Sequence, residues 1–491
     1  MSTNTTSTPS TALRRNAVGV AGILFFVLSA QAPLTGIAGA LPVAILLGNG
    51  AGAPAAYLMV GGVIVLFAVG FIAMSRHVSD SGAFYTYVSR GLGRRVGTGA
   101  SQVALLSYNT IQAAMYGLYG VVVSGLANTH LSLDLPWWVW ALVTMAVVQA
   151  LGSLNIELGA KFLAVLVIAE FSILLAFAVV EFVTGGGPEG LDPGSSFSPD
   201  ALMAGAPGVA LTFAIASMFG FESTAIYAEE AKDPARTIPR ATYLAVCTIA
   251  IFFAFVSWMV VSHYGAGNAT AAAEGALASG DSTSLVFAAI ADTLGTWTTD
   301  IAGVLLATSL LAGILAFHNG INRYFHSLSE AGVFHGRIAS TNKQGAPYIA
   351  SAIQTLVAAA LVIPFAVLDK DPVLTLFSWF SGLAVLALVV LYFLTSVSVV
   401  VYFRRSGLDP RLWNTLIAPV ASAVLIVAGT VLVLRNLPTL IGGSTTTATV
   451  LAATVPVVFA GGWALGHLRG HATEAGHMEP DTGGTAPATV S

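Results

Sequence analysis

Residues 216–241, ASMFGFESTAIYAEEAKDPARTIPRA, set Gly220 and Glu222 inside an apolar run, with no Lys or Arg before them back to Lys161. A carboxylate in such surroundings is expensive in hydrocarbon, so it marks an ion, proton or substrate site, or else a paired charge. Glu222 either hydrogen-bonds to loosened backbone or is a group for which a proton and an amine or other cation compete. No Lys or Arg falls in the middle of any apolar run, which makes a mobile cation the expected partner. Glu170 is a second such acid, about 13 Å beyond Lys161 along a helix. It binds a coupling cation or proton, or it hydrogen-bonds to a neighbouring hydroxyl. Thr308 and Ser309 are the residues that would complete a Na⁺ site beside it.

Two apolar runs carry helix breakers near their middles. The first holds SAQAPLTGIAGALP (29–42), with Pro33, Gly36 and Gly39, and the sixth holds Gly220. A broken helix exposes N–H and C=O groups that need partners in an apolar interior. N–H groups at a half-helix N-terminus attract an anion, and exposed carbonyls accept an ammonium or Na⁺. Thr35, Gly36 and Ile37 are therefore expected to face an anionic group, and Gln31, Phe219, Gly220 and Glu222 a cationic one. SYNTIQAAMYGLYG (107–120) adds Asn109, Gln112 and Tyr116, which either line the same site or act as polar glue between helices. Phe213, Trp379 and Phe380 cap the site as gating residues or simply pack, and His318 is expected to be structural.

The elements that must position these residues follow from composition. Of 491 residues, 56% are hydrophobic and only 9% charged, and the mean hydropathy is +0.83. Between Arg95 and Asp134 lie 38 residues with no Asp, Glu, Lys or Arg. The runs are continuously apolar rather than alternating, so they are expected to be membrane-spanning helices and not barrel strands. About twelve spans are expected: 17–47, 54–75, 97–127, 136–156, 158–183, 207–230, 240–263, 299–327, 347–367, 373–403, 412–434 and 448–467. All 19 Lys and Arg except Lys370 and Arg435 fall on one side of that arrangement, which places both termini in the cytoplasm. Tails 1–16 and 470–491 read as disordered. Cys247 is the single cysteine, excluding a disulfide framework. There is no G-x-x-x-x-G-K-[ST] loop for ATP, and no enzyme chemistry, nucleic-acid partner, cofactor or resident metal is expected. Breaks in spans one and six are equivalent if a five-helix unit (17–183) recurs inverted at 207–403, leaving 412–469 as two additional spans.

FGFESTAIYAEEAKDPARTIPRA (219–241), SGAFYTYVSRGLG (81–93), NRYFHSLSEAGVFH with GAPYIAS (322–351) and VVVYFRR (399–405) together resemble the amino acid–polyamine–organocation permeases over about residues 17–469. The resemblance implies the all-α, five-plus-five inverted-repeat (LeuT-like) fold with broken helices one and six and two C-terminal helices. It also implies transport of amino acids or amines. Many such permeases carry Gly-x-Gly at the first break, where the substrate carboxylate is held; here the stretch is Thr35-Gly36-Ile37. Many hold a lysine in helix five in place of Na⁺; the corresponding residue here is Glu170, of opposite sign.

The expected activity is secondary active transport of amino acids across the plasma or inner membrane by alternating access, coupled to H⁺ or Na⁺. Amines or polyamines lacking a carboxylate are the alternative substrates. A non-transporting sensor or a channel on the same fold is less favoured, because the stretches outside the spans are short. If Glu222 mediates coupling, Glu222→Gln removes the pH dependence of uptake in proteoliposomes; an unchanged rate and pH profile would exclude it.

Overall fold

The computed structural model describes residues 19–78, 83–154, 160–221, 224 and 231–476, and these are helical without a strand. The first expected span begins as α1 (Val20–Ala30) and resumes as a π-helical turn (Thr35–Ala40), α2 (Leu41–Ala44) and a second π-helical turn (Ile45–Asn49). Then come α3 (Ala53–Ser75), α4 (Ala83–Leu92), α5 (Arg94–Leu131), α6 (Trp137–Ser153) and α7 (Ala160–Thr184), followed by short α8 (Pro193–Phe197) and α9 (Pro199–Met203). After them run α10 (Pro207–Ala216), α11 (Pro234–Tyr264), α12 (Ala269–Ala278), α13 (Ser284–Leu294) and α14 (Trp297–Glu330). The chain closes with α15 (Tyr348–Val367), α16 (Ser378–Ser406), α17 (Ala418–Leu440) and α18 (Thr445–Gly476). Among the described residues nine helical stretches are long and apolar enough to cross a membrane, and α6, α10 and α13 are shorter apolar helices.

The sixth span's α-helix stops where expected, its continuation lying outside the described residues, and the first interruption is present but displaced. It falls at Gln31–Ala32, where Ala32 takes φ +43°, a left-handed conformation that costs a non-glycine residue about 1–2 kcal/mol. Pro33 follows because a residue without an N–H suits the first turn of a new helix. Gly36 and Gly39 do not break anything; they lie within helical backbone and serve close packing. A Cβ on Gly36 would fall well inside van der Waals distance of Phe253 Cε1 on α11, and one on Gly39 would strike Leu118 of α5. The sixth span ends its α-helix at Ala216 and turns through residues 217–220, where Gly220 has φ +96°. Only glycine adopts that conformation freely.

In lipid, helices associate through close packing and hydrogen bonds rather than through exclusion of water. α5 is the hub, touching α4, α6, α14, α15, α16 and α18. Its Ser107 hydroxyl donates to Ala384 O of α16 at 2.8 Å, and Gln112 Nε2 donates to Ile314 O of α14 at 2.9 Å. His318 Nε2 lies 2.9 Å from Ser351 Oγ, which in turn donates to Gln149 Oε1 at 3.1 Å, tying α14, α15 and α6 together.

Two features exceed the expectations from sequence. α4 lies between two expected spans, with Phe84, Tyr87 and Val88 buried, Phe84 against Tyr392 and Tyr87 edge-on to Phe71. α12 and α13 occupy a stretch in which no helix was expected, and His263 at the end of α11 lies between Glu181 of α7 and Asp292 of α13, at 3.3 and 3.6 Å.

The packing at Gly36 is testable. Gly36→Ala is expected to cost about 1–3 kcal/mol through overpacking against Phe253, read as a lower midpoint in thermal unfolding. Gly62→Ala, where an added Cβ meets nothing, should be neutral.

Candidate functional site

The two breaks face each other. Gln31 Nε2, at the end of α1, donates to the Phe219 carbonyl at 2.6 Å. That carbonyl sits where α10 has unwound, so it has lost the intrahelical donor that would otherwise satisfy it. Both residues are buried. The structure brings Gln31 and Phe219 together, with Gly220 next in the chain. Glu222 and Ser223 lie outside the described residues. The residue before them, Phe221, is buried in an aromatic cluster with Phe67, Phe71 and Tyr392.

Glu170 reaches the first break from α7. Its Oε2 accepts the Leu34 N–H at 3.2 Å, and its side chain is wholly buried. The carboxylate therefore occupies the N-terminal end of the helical stretch that starts at Pro33, where the helix dipole favours an anion. Ser309 of α14 is a side-chain hydrogen-bonding neighbour of the same carboxyl. Thr308, its neighbour in sequence, turns away: its hydroxyl donates to Val304 O and Leu305 O of its own helix. Consecutive helical residues diverge by about 100°, so the structure brings Ser309 and not Thr308 towards Glu170.

The expected anion donors are already engaged. The Thr35 and Gly36 N–H groups both donate to Ala32 O, at 2.9 and 3.2 Å. Ile37 is buried within the π-helical turn. The Gly36 carbonyl accepts from Tyr57 Oη at 3.4 Å, and the Tyr57 ring stacks on Phe253 with centroids 5.4 Å apart.

The helix-three candidates divide. Gln112 is bound into α14 and α15, giving a hydrogen bond to Ile314 O and receiving one from Gln354 Nε2, which is the polar-glue arrangement. Asn109 donates to Leu105 O of its own helix at 2.7 Å, and its Oδ1 has no partner among the described residues. Tyr116 is buried. Among the aromatic candidates, Phe213 stacks face to face on Phe377 at 5.8 Å, whereas Trp379 and Phe380 pack on Phe365 of α15. Phe377, two positions before Trp379 and directly before α16, is thus the aromatic that meets α10. Its sequence signal was the WF pair nearby, but only the rotation of the helix selects one ring over another. Phe219 meets Phe317 of α14 edge-on at 6.5 Å. Tyr57, Phe253, Phe317 and Phe377 adjoin the breaks without any spacing rule that would single them out from sequence.

Among the described residues, nine helical stretches long and apolar enough to cross a membrane, with the ends of α1 and α10 joined at a buried hydrogen bond, fit a multi-pass membrane protein of the permease type. The chain belongs to the amino acid permease family, whose model matches residues 22–460. It is 26% identical over 392 residues to an uncharacterised transporter of Mycobacterium bovis, covering 73% of this chain and 74% of that one. It is 28% identical to a probable GABA permease of Pseudomonas aeruginosa, over 50% of this chain and 49% of the relative. Identity to a low-affinity putrescine importer of Escherichia coli K12 is 23%, over 43% and 46% of the two chains.

The Gln31 contact predicts a specific defect. Gln31→Leu keeps the volume but leaves the Phe219 carbonyl buried and unsatisfied, costing about 1–3 kcal/mol. Thermal unfolding should shift downwards accordingly, and uptake should fall at least tenfold. Full stability and full uptake would show that the two breaks do not depend on this bond.

Proposed function

We propose that the chain is a secondary active transporter that moves small amine-bearing solutes, amino acids foremost, by alternating access around the two helix breaks. The observation that carries this is the Gln31–Phe219 hydrogen bond. A single side chain joins two unwound segments, in the two runs whose breakers are paired in sequence. Such paired interruptions are where carriers of this architecture place their substrate. In this reading the chain has about twelve spans with both termini cytoplasmic. The five-helix unit 17–183 is repeated inverted at 207–403, and 412–469 adds two further helices. Gln31, Phe219 and Gly220, with Glu222, form the amine-facing side; Asn109 and Tyr116 line the site. Phe213 with Phe377 closes it, and Trp379 and Phe380 support that contact from α16.

Coupling to H⁺ or Na⁺ is assigned to Glu170 and Glu222. Glu170 is buried at the first break with Ser309 beside it, so a monovalent cation or a proton there would neutralise it and report on the state of the break. Amines without a carboxylate are the second substrate reading, supported by the relative named as a putrescine importer. GABA and putrescine share a primary amine, and this is the common chemical demand on a site rich in acceptors.

Reconstituted protein is expected to accumulate a labelled amino acid or amine against its gradient. Uptake should saturate at roughly micromolar to millimolar concentration and speed up when unlabelled substrate is preloaded. Collapse of the pH gradient or removal of Na⁺ identifies the coupling ion. Non-saturating flux would indicate a channel, and ligand-dependent thermal stabilisation without flux a sensor.

A further inference from the structure

Between α16 and α17 the surface holds an apolar groove of about 440 Å³, lined from Phe393 to Val401 on one helix and from Pro419 to Val427 on the other. Its rim is open: Val420, Val424 and Val427 are 44, 62 and 46% exposed. Ser396, the hydroxyl among the lining side chains, is paired with Ser422 Oγ at 3.2 Å, so the groove offers its occupant apolar contact alone. The lining rises about 12 Å along α16, close to the roughly 15 Å that one leaflet contributes to a hydrocarbon core about 30 Å thick. One end of the groove is positively charged. Phe393, Val397 and Val400 follow one face of α16, and Arg404 is the next residue on that face. Arg404 is exposed and, among the described residues, forms no hydrogen bond or ion pair. Arg405 beside it is also exposed and donates to Gly91 O at 3.5 Å. Arg411, by contrast, is neutralised by Asp409 at 2.6 Å. Trp413, 53% exposed, stands at the same end of the groove, and tryptophan gathers at membrane interfaces.

We propose that this groove is a binding site for an anionic phospholipid: one acyl chain lies between α16 and α17, and the phosphate and acidic headgroup meet Arg404 and Arg405. An arginine at a helix end lays its stem on apolar surface and carries its charge out to headgroup level. Basic pockets between membrane helices select acidic headgroups. A zwitterionic lipid fills the groove equally well but brings its own cation towards the arginines. A helix from a second copy needs a seam across the full ~30 Å of hydrocarbon, and this lining covers less than half of that. The ligand is a lipid and not the transported solute, so the inference stands or falls apart from the transport reading.

The test uses the purified full chain in detergent and two lipids with identical acyl chains, phosphatidylglycerol and phosphatidylcholine. Bound lipid is read by native mass spectrometry, and stabilisation by the midpoint of thermal unfolding. The wild-type chain should bind phosphatidylglycerol roughly tenfold or more tightly than phosphatidylcholine, each arginine contributing about fivefold. Its unfolding midpoint should rise further with the anionic lipid. Arg404→Gln should cut the preference about fivefold. Adding Arg405→Gln should abolish it while leaving phosphatidylcholine binding unchanged. Val424→Trp fills the groove without altering a charge and should displace both lipids, whereas Leu356→Trp, at a similarly exposed position on α15, should displace neither. Equal binding of the two lipids by the wild-type chain overturns the proposal, as does a preference that survives the double arginine substitution or Val424→Trp. A dimer that persists without lipid and dissociates in Val424→Trp would assign the groove to a second copy and overturn it as well.

Discussion

The hydrogen bond from Gln31 to the Phe219 carbonyl and the one from the Leu34 N–H to Glu170 solve the same physical problem. Interrupting a helix within an apolar interior frees backbone groups that water cannot reach, and each costs free energy until something satisfies it. Here one break satisfies the other through a glutamine, and a distant helix lends a carboxylate. Ala32 in a left-handed conformation adds strain of a kind that persists only where the surroundings over-determine it. Those surroundings are visible: Phe253 against Gly36, Leu118 against Gly39, and Tyr57 on the Gly36 carbonyl.

Around the breaks the molecule is held together unevenly. α5, α6, α14 and α15 are laced by side-chain hydrogen bonds through Gln112, Gln354, His318, Ser351 and Gln149, in addition to their packing. Such bonds are worth about 0.6–2 kcal/mol each between membrane helices, so the network makes those four helices a continuous frame. The broken segments also meet the rest through aromatic rings, Phe213 on Phe377 and Phe219 on Phe317. Ring contacts tolerate sliding better than directed hydrogen bonds.

Membership of the amino acid permease family and relatives named as transporters place the chain in a class whose substrates are small. The buried carboxyl at the first break is that of Glu170, which comes from α7, far from the break in sequence.

Much was legible without coordinates, because membrane burial imposes one-dimensional constraints. Continuous apolar runs must be helices, since no other open element satisfies its own backbone in lipid, and Pro33 and Gly220 announce interruptions by what they cannot donate or can uniquely adopt. Buried acids stand out against a chain with only 9% charged residues. What the tertiary structure decided is every relation that depends on helix rotation and on contacts between distant segments. It turned Gly36 and Gly39 from breakers into packing sites, faced Ser309 and not Thr308 towards Glu170, bound Gln112 into the frame, and set Phe377 against Phe213. Above all it placed Glu170 on the Leu34 N–H, a pairing across 136 positions. No local periodicity encodes such a contact, because it arises only when α1 and α7 pack side by side.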